Sequence, residues 1–238
     1  MAEQTIAQSS KLAALGEMSA AVSHELNQPL AAMKTYLAGA KLLLQRRRPE
    51  EAMSSFQRID DLIERMGSIT RQLKAHARKG GDAFEVLDMR DAVSSALAMM
   101  EPQLNKMDVE IINQSPKEPV LIKVDRIRLE QVIINLLRNA LDAMNEQTTR
   151  RLEILLFASE MATLAVRDSG TGLEDLDEVF EPFYTTKSPG EGVGLGLAIS
   201  SGIISDLGGR LTGRNAESGG AVFEIQLPLH HINSEAAE

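Results

Sequence analysis

The sequence predicts an α+β protein in two parts. An N-terminal antiparallel helical hairpin, suited to pairing into a dimeric four-helix bundle, precedes a two-layer α/β sandwich. Three observations carry this expectation. Apolar residues recur at steps of mostly three and four from Leu12 to Ala77, the seam of a helical bundle. After Gly80-Gly81 the period changes, and short β-branched runs alternate with amphipathic helices. Aromatic residues are only 3% of the chain, with no Trp, so 11 methionines and the aliphatic residues must fill the core, which favours helices.

At 238 residues the chain has room for two small domains. The expected boundaries are 1–80 for the hairpin, 81–230 for the sandwich and 231–238 for a tail. The formal net charge of −9 argues against nonspecific nucleic-acid binding. Zero cysteines exclude disulfides and thiolate metal sites, and fit a reducing cytoplasm. No apolar run approaches the length of a membrane span, and the N-terminus lacks a signal-peptide pattern. The chain begins almost directly inside a helical pattern, which points to a portion of something longer.

The first helical seam runs Leu12, Leu15, Ser19, Val22, Leu26, Leu30, Met33, Leu37, Ala40, Leu44. Arg46-Arg47-Arg48 suits a helix C-terminus and its dipole, and Pro49 suits the first turn of the next helix. The second seam is Ala52, Phe56, Ile59, Ile63, Met66, Thr70, Leu73, Ala77. A two-helix hairpin cannot bury such seams alone, so a homodimer is expected. At about 100° per residue, His24 lies about 200° from both Val22 and Leu26 and faces away from the seam. Pro29 removes the bond to the carbonyl of Glu25 and should kink the helix one turn past the histidine. That costs roughly 3 kcal/mol in an ordinary helix. On helix geometry alone, His24 reads as a solvated surface side chain.

In the second part, Phe84–Leu87 reads as a strand, and Asp88 caps a helix over about Arg90–Asn105. Val109–Asn113 and Val120–Val124 read as strands. Asp125 caps a long helix through Met144 that buries Leu129, Val132, Ile133, Leu136, Leu137, Ala140 and Met144. Leu152–Phe157 and Thr163–Val166 form a strand pair, and a glycine-rich stretch runs from Ser169 to Gly192. A helix over Gly194–Leu207 and strands Arg210–Gly213 and Val222–Gln226 complete a mixed sheet with helices on one face.

Four clusters lie in this part. Asn135 and Asn139 are one turn apart on the long helix. Asp168-Ser169-Gly170-Thr171-Gly172 follows a strand. Phe180-Glu181-Pro182-Phe183-Tyr184-Thr185-Thr186-Lys187 sits in the long loop. Gly192-Val193-Gly194-Leu195-Gly196 opens a helix. Each alone has a bland reading, as surface amides, an ordinary turn or hydrophobic loop anchors. No preceding strand supports a dinucleotide fold, and no Walker phosphate loop is present.

Together and in this order, the clusters resemble the ATP-binding domain shared by histidine kinases, type II topoisomerases, Hsp90 chaperones and MutL proteins. With His24-Glu25-Leu26-Asn27-Gln28-Pro29-Leu30 on a hairpin upstream, the match narrows to sensor histidine kinases of two-component systems. It covers about Leu12 to Leu229, and the wording of the histidine motif looks most like that of C4-dicarboxylate sensor kinases. The resemblance implies that His24 is the phosphoacceptor and Glu25 the general base for its Nδ1 proton. Asp168 would read the adenine amine, with Gly170 and Gly172 turning past the base. Asn135 and Asn139 would approach the phosphates, Asn139 also offering an oxygen to Mg²⁺. Lys187 would reach the β- or γ-phosphate from the loop that the family calls the ATP lid. Gly192, Gly194 and Gly196 would present amides to the polyphosphate.

The implied cosubstrates are ATP and Mg²⁺. The implied partners are a second copy of the chain and a response-regulator receiver domain. The implied location is the cytoplasm, as the transmitter of a membrane-anchored sensor. Two departures stand out. Gln28 occupies the place where many relatives carry the Thr or Asn linked to phosphatase activity, and Ala221 lacks a hydroxyl that relatives often carry. An ATPase of the same fold is a rival, opposed because the water-activating glutamate of those relatives matches Asn135. A non-catalytic dimeric nucleotide-binding scaffold is the other, opposed by the intact asparagines, aspartate and glycines.

Overall fold

The computed structural model describes residue 27 and residues 29–77, 84–187 and 194–230. The chain divides into two compact units, Met1–Lys74 and Ala75–Glu238.

In the first unit a helix over residues 29–45, here α1, is followed by α2 (Pro49–Ala77). Pro49 is the first residue of α2, and Glu50 and Glu51 supply negative charge to its first turn. The turn between the helices is made by the backbone. Arg48 N–H donates to the Leu43 carbonyl and Arg47 N–H to that of Leu44, while Arg47 adopts φ +57°. This is a Schellman cap with arginine in the left-handed position that glycine usually takes. Ala40 and Ala52 are fully buried.

The second unit contains β1 (Phe84–Asp88), α3 (Met89–Lys106), β2 (Glu110–Gln114), β3 (Leu121–Asp125) and α4 (Arg126–Ala143). It continues with β4 (Arg151–Ala158), β5 (Met161–Asp168), α5 (Gly196–Asp206), β6 (Arg210–Asn215) and β7 (Ala221–Pro228). The main sheet has the order β2-β4-β5-β7-β6. β2 and β4 are parallel and the other neighbours antiparallel. β2 and β3 do not pair with each other. β3 instead forms a two-stranded ribbon with β1, tied to the end of the main sheet by an Ile122–Leu229 bridge. A parallel β2–β4 pair requires a crossover, and α4 supplies it.

Alternation decides which face is buried. Leu152, Ile154 and Leu156 of β4, Leu164 and Val166 of β5, and Phe223, Ile225 and Leu227 of β7 all point to one side and are at most 4% exposed. Buried with them are Met89, Val93 and Met100 of α3, Ile199 and Ile203 of α5, and the whole expected apolar face of α4. The result is the predicted two-layer α+β sandwich. Asp88 caps α3 by accepting from Arg90 N–H at 3.1 Å, and Asp125 caps α4 by accepting from Arg128 N–H at 3.2 Å. Burial alone would raise the pKa of Asp88. Bonds from the Arg90 guanidinium and from the Arg90 and Val120 amides outweigh it and hold the carboxyl below its ordinary value. This cap therefore contributes stability above the unfolded pKa and loses it as pH falls through the lower folded one.

Boundaries shift by one or two residues at most ends, with one consequence for the site. The helix expected from Gly194 starts at Gly196, because Gly194 takes φ +68° and cannot belong to it. α3 and α5 end as α1 does, with Asp108 at φ +53° and Gly208 at φ +79°. A Cβ at position 208 would meet only Pro228 Cγ at 3.8 Å. Gly208→Ala is thus expected to cost about 1 kcal/mol from backbone strain alone, read as a lowered urea midpoint at unchanged slope.

Candidate nucleotide site

One face of α4 forms the long wall of the site. Asn135, Asn139 and Ala143 fall at i, i+4 and i+8, so they stack along one side over about 12 Å. The opposite face is locked in the core by Leu136, Leu137 and Ala140. Hydrophobic periodicity therefore aims the two asparagines.

At one end of this wall lies the start of α5. Asn135 Nδ2 donates to Ser200 Oγ at 3.0 Å. A Cβ on Gly196 would stand 2.7 Å from Asn135 Oδ1. Only glycine allows α5 to begin this close to α4. The residue before it, Leu195, makes no side-chain capping bond. The first amides of α5 are left without an intrahelical acceptor, and the positive end of the helix faces the Asn135 end of the wall. Just upstream, the Phe183 N–H donates to the Gly194 carbonyl at 2.9 Å, with Phe183 itself at φ +70°. Phe180 packs edge-on against Phe223 with ring centroids 6.3 Å apart, so it anchors the loop as the bland reading expected. Val179, at 6% exposed, is a second anchor that no motif marked.

At the other end, Ala143 abuts Gly170, where a Cβ would lie 2.7 Å from the Ala143 carbonyl oxygen. Gly170 N–H donates to Asp168 Oδ1 at 2.8 Å, and Ala221 N–H donates to the same oxygen at 3.3 Å. Neither bond uses Oδ2. Asp168 is only 3% exposed, and burial raises its pKa above the ordinary value against the opposing pull of the backbone amides and of Arg167. Gly220 closes the floor at φ +84°, where a Cβ would be 1.9 Å from the Asp168 carbonyl oxygen. The missing hydroxyl at Ala221 thus removes nothing from Asp168, since the main chain of residue 221 makes the contact.

Asn139 sits between the two ends. It is half-buried, and its side chain bonds to no described residue. Lys187 pairs with the Asp142 carboxylate on α4, and this is where the structure places it, not against the α5 amides. Gly172, at φ +81°, lies beside the Asn215 side chain. His24, Glu25, Gln28 and Gly192 lie outside the described residues. Ser200, Gly220, Asp142 and Asn215 complete the site and escaped the reading of motifs, because each reaches it through tertiary contact; position 221 was marked only for its missing hydroxyl, while its amide makes the bond.

The site thus offers a buried carboxylate with one spare oxygen, a central amide with no bond to a described residue, and a helix N-terminus free of a side-chain cap. This set suits a nucleoside triphosphate: an amine donor at the carboxylate and an anion at the helix. Among the described residues no group of three His, Asp or Glu side chains could hold a metal ion. A divalent cation would rely on Asn139 and on the phosphates themselves, which fits Mg²⁺.

Comparison with known proteins agrees. Residues 124–231 match the family model described as histidine kinase-, DNA gyrase B- and HSP90-like ATPase, which implies ATP binding. Residues 14–81 match the His Kinase A (phospho-acceptor) domain. The chain belongs to the sensor histidine kinases. It is similar to the C4-dicarboxylate transport sensor protein DctB of Pseudomonas aeruginosa, at 42% identity over 95% of this chain and 38% of that protein. DctB of Rhizobium meliloti is 37% identical over 94% of this chain and 36% of that protein. The chain therefore spans less than half the length of these relatives. Among solved structures, the catalytic domain of histidine kinase ThkA matches with a TM-score of 0.55 at 29% identity, covering 61% of this chain and 95% of that one. ThkA in complex with its response regulator TrrA shares the fold, with a TM-score of 0.72 at 24% identity over 92% of this chain and 63% of that one.

Because the pKa of Asp168 is raised in the fold, the unfolded chain ionises first as pH rises. Its contribution to stability falls between the unfolded and folded pKa values and stays unfavourable at neutral pH. Asp168→Asn keeps an acceptor for Gly170 and Ala221 but would set a donor against any ligand amine at the second oxygen. The variant is expected to melt no lower than the parent at pH 7 and to lose measurable ATP binding by calorimetry.

Proposed function

We propose that the chain is the transmitter of a two-component system, a homodimeric ATP-dependent protein histidine kinase acting in the cytoplasm. The observation that carries this reading is the α4 wall, with the buried Asp168 carboxylate at one end and the uncapped α5 N-terminus at the other. It occurs on a chain that also carries a phospho-acceptor domain. Asp168 would accept from the adenine amine, with Gly170 and Gly172 beside the base. Asn135, Gly192, Gly194 and Gly196 would shape the phosphate end, and Asn139 would hold Mg²⁺. The cation would neutralise phosphate charge as the phosphoryl group leaves.

His24 Nε2 attacks the γ-phosphorus. An N–P bond forms, the bond to the β,γ-bridging oxygen breaks, and that oxygen keeps the electron pair as ADP departs. Glu25 takes the Nδ1 proton, so the imidazole ends neutral. The phosphoryl group then passes to an aspartate of a response-regulator receiver domain. Lys187 fits a phosphate contact despite its pairing with Asp142. Both side chains are a third or more exposed, and such pairs contribute about 1 kcal/mol or less, so phosphate oxygens can outcompete the carboxylate.

The homodimer is supported by the apolar seam that the first unit leaves open. Leu30, Leu37, Leu44, Phe56 and Ile63 are 39–54% exposed, more apolar surface than a hairpin leaves in water without a partner. The likeness to the DctB proteins supports a place in C4-dicarboxylate signalling.

Incubation with γ-labelled ATP and Mg²⁺ should label the chain with an acid-labile, base-stable phosphoryl group. His24→Gln should abolish the label, Asn139→Ala should reduce it at least about tenfold, and chelation of Mg²⁺ should suppress it. Equal labelling of His24→Gln would sink the assignment.

A further inference from the structure

The turn between β6 and β7 holds the loop that follows Asp168, and it does so through a side chain that no motif marks. Asn215 is the last residue of β6, opposite Ala221 in the β6–β7 register. Its Oδ1 accepts from the Leu173 N–H at 2.7 Å, and its Nδ2 donates to the Leu173 carbonyl at 2.9 Å. Both main-chain groups of Leu173 are thereby paired by one amide, as a neighbouring strand would pair them. Directly beside it, a Cβ on Gly172 would stand 2.8 Å from Asn215 Oδ1, at a backbone conformation (φ +81°) that side chains avoid. Leu173 then lies over β6, its Cδ1 3.3 Å from where a Cβ on Gly213 would be. The same turn reaches Asp168 from below. The Ala216 N–H donates to the Gly220 carbonyl at 2.9 Å, Gly220 packs under the Asp168 carbonyl, and the Ala221 N–H holds Asp168 Oδ1.

We propose that Asn215 is a positioning residue for base recognition: it clamps Leu173 so that the Gly170–Gly172 loop and Asp168 are held by one rigid turn at the spacing that an adenine requires. This rests on the nucleotide-binding reading above. Asp168 alone is a single acceptor for an exocyclic amine. Discrimination against a base that presents a carbonyl there requires that the carboxylate and the loop beside it not shift apart, since a polar group left badly paired is what rejects the wrong ligand. The clamp is remote from the phosphate end, where Asn135, Ser200 and Gly196 meet. Its loss should therefore divide the site's two functions.

The test is calorimetric binding of ATP, GTP and inorganic tripolyphosphate to the full chain with Mg²⁺, for the parent, Asn215→Ala and Asn215→Asp. The aspartate is nearly isosteric and keeps the acceptor for the Leu173 N–H, but sets a carboxylate oxygen against the Leu173 carbonyl. Asn215→Ala is expected to weaken ATP binding about tenfold or more, the loss of two hydrogen bonds at a preorganised site. The ATP-over-GTP preference should shrink with it, while tripolyphosphate binding stays within about twofold of the parent. Asn215→Asp should show the same pattern while its melting temperature stays closer to the parent's. Equal weakening of ATP and tripolyphosphate in both variants would make Asn215 merely structural and overturn the proposal. So would an unchanged ATP-to-GTP ratio. A parent protein that binds tripolyphosphate but no ATP would remove the nucleotide reading itself and this inference with it, an outcome that the parent alone reveals.

Discussion

The buried carboxylate of Asp168 is the constraint that the rest of the second unit accommodates. A charge that is 97% removed from water is costly unless it is bonded, and here two main-chain amides share one oxygen. Those amides come from different places: Gly170 follows β5 directly, and Ala221 starts β7 after the β6 turn. Bringing both to the same atom requires β5 and β7 to be neighbours in the sheet, which they are, and residue 220 to lack a Cβ, while Gly170 lacks one to clear Ala143 of α4. The β5–β7 neighbourhood and Gly220 serve that one requirement, and Gly170 serves the close approach of α4 beside it. The unit keeps the group although its raised pKa makes it unfavourable at neutral pH, the pattern expected where a residue serves binding and not folding.

Much of the fold was legible because its signals are local. Asp88 and Asp125 declared the starts of α3 and α4 through capping chemistry, and both caps are present with their expected acceptor bonds. The seven residues expected on the buried face of α4 are all at most 3% exposed, since a 3.6-residue period has only one way to face a sheet. The separation of β2 from β3 was not legible. Both are short β-branched runs, and pairing depends on which edge is open, not on the strand's own composition.

The candidate site divides the same way. Asp168, Asn135, Asn139 and the glycines are visible because their order along the chain is distinctive. Gly220, Ser200 and Asn215 are ordinary residues in ordinary places, and their roles arise only when segments 42 or more residues apart along the chain meet, as Asn215 and Leu173 do. Lys187 illustrates what a local motif leaves out. Its position in a loop motif suggested a phosphate, while the fold sets a carboxylate from α4 beside it, because Asp142 lies three residues past Asn139 on a neighbouring face of the same helix.

The two ends of the α4 wall are fastened by different kinds of contact, and this separates their responses to change. At the phosphate end the fastening is close packing: Gly196 against the Asn135 amide, with one hydrogen bond to Ser200. Any added side chain at 196 must displace α5, so that end tolerates little substitution but does not depend on a network. At the base end the fastening is a relay of main-chain bonds, from Asn215 to Leu173 and from Ala221 and Gly170 to Asp168. The Asn215–Leu173 links are neutral amide contacts of modest net worth and the two to Asp168 are bonds to a carboxylate; together they fix one carboxylate oxygen and leave the other for ligand. Affinity for the charged end and selectivity for the base can therefore vary separately, since no side chain contributes to both fastenings.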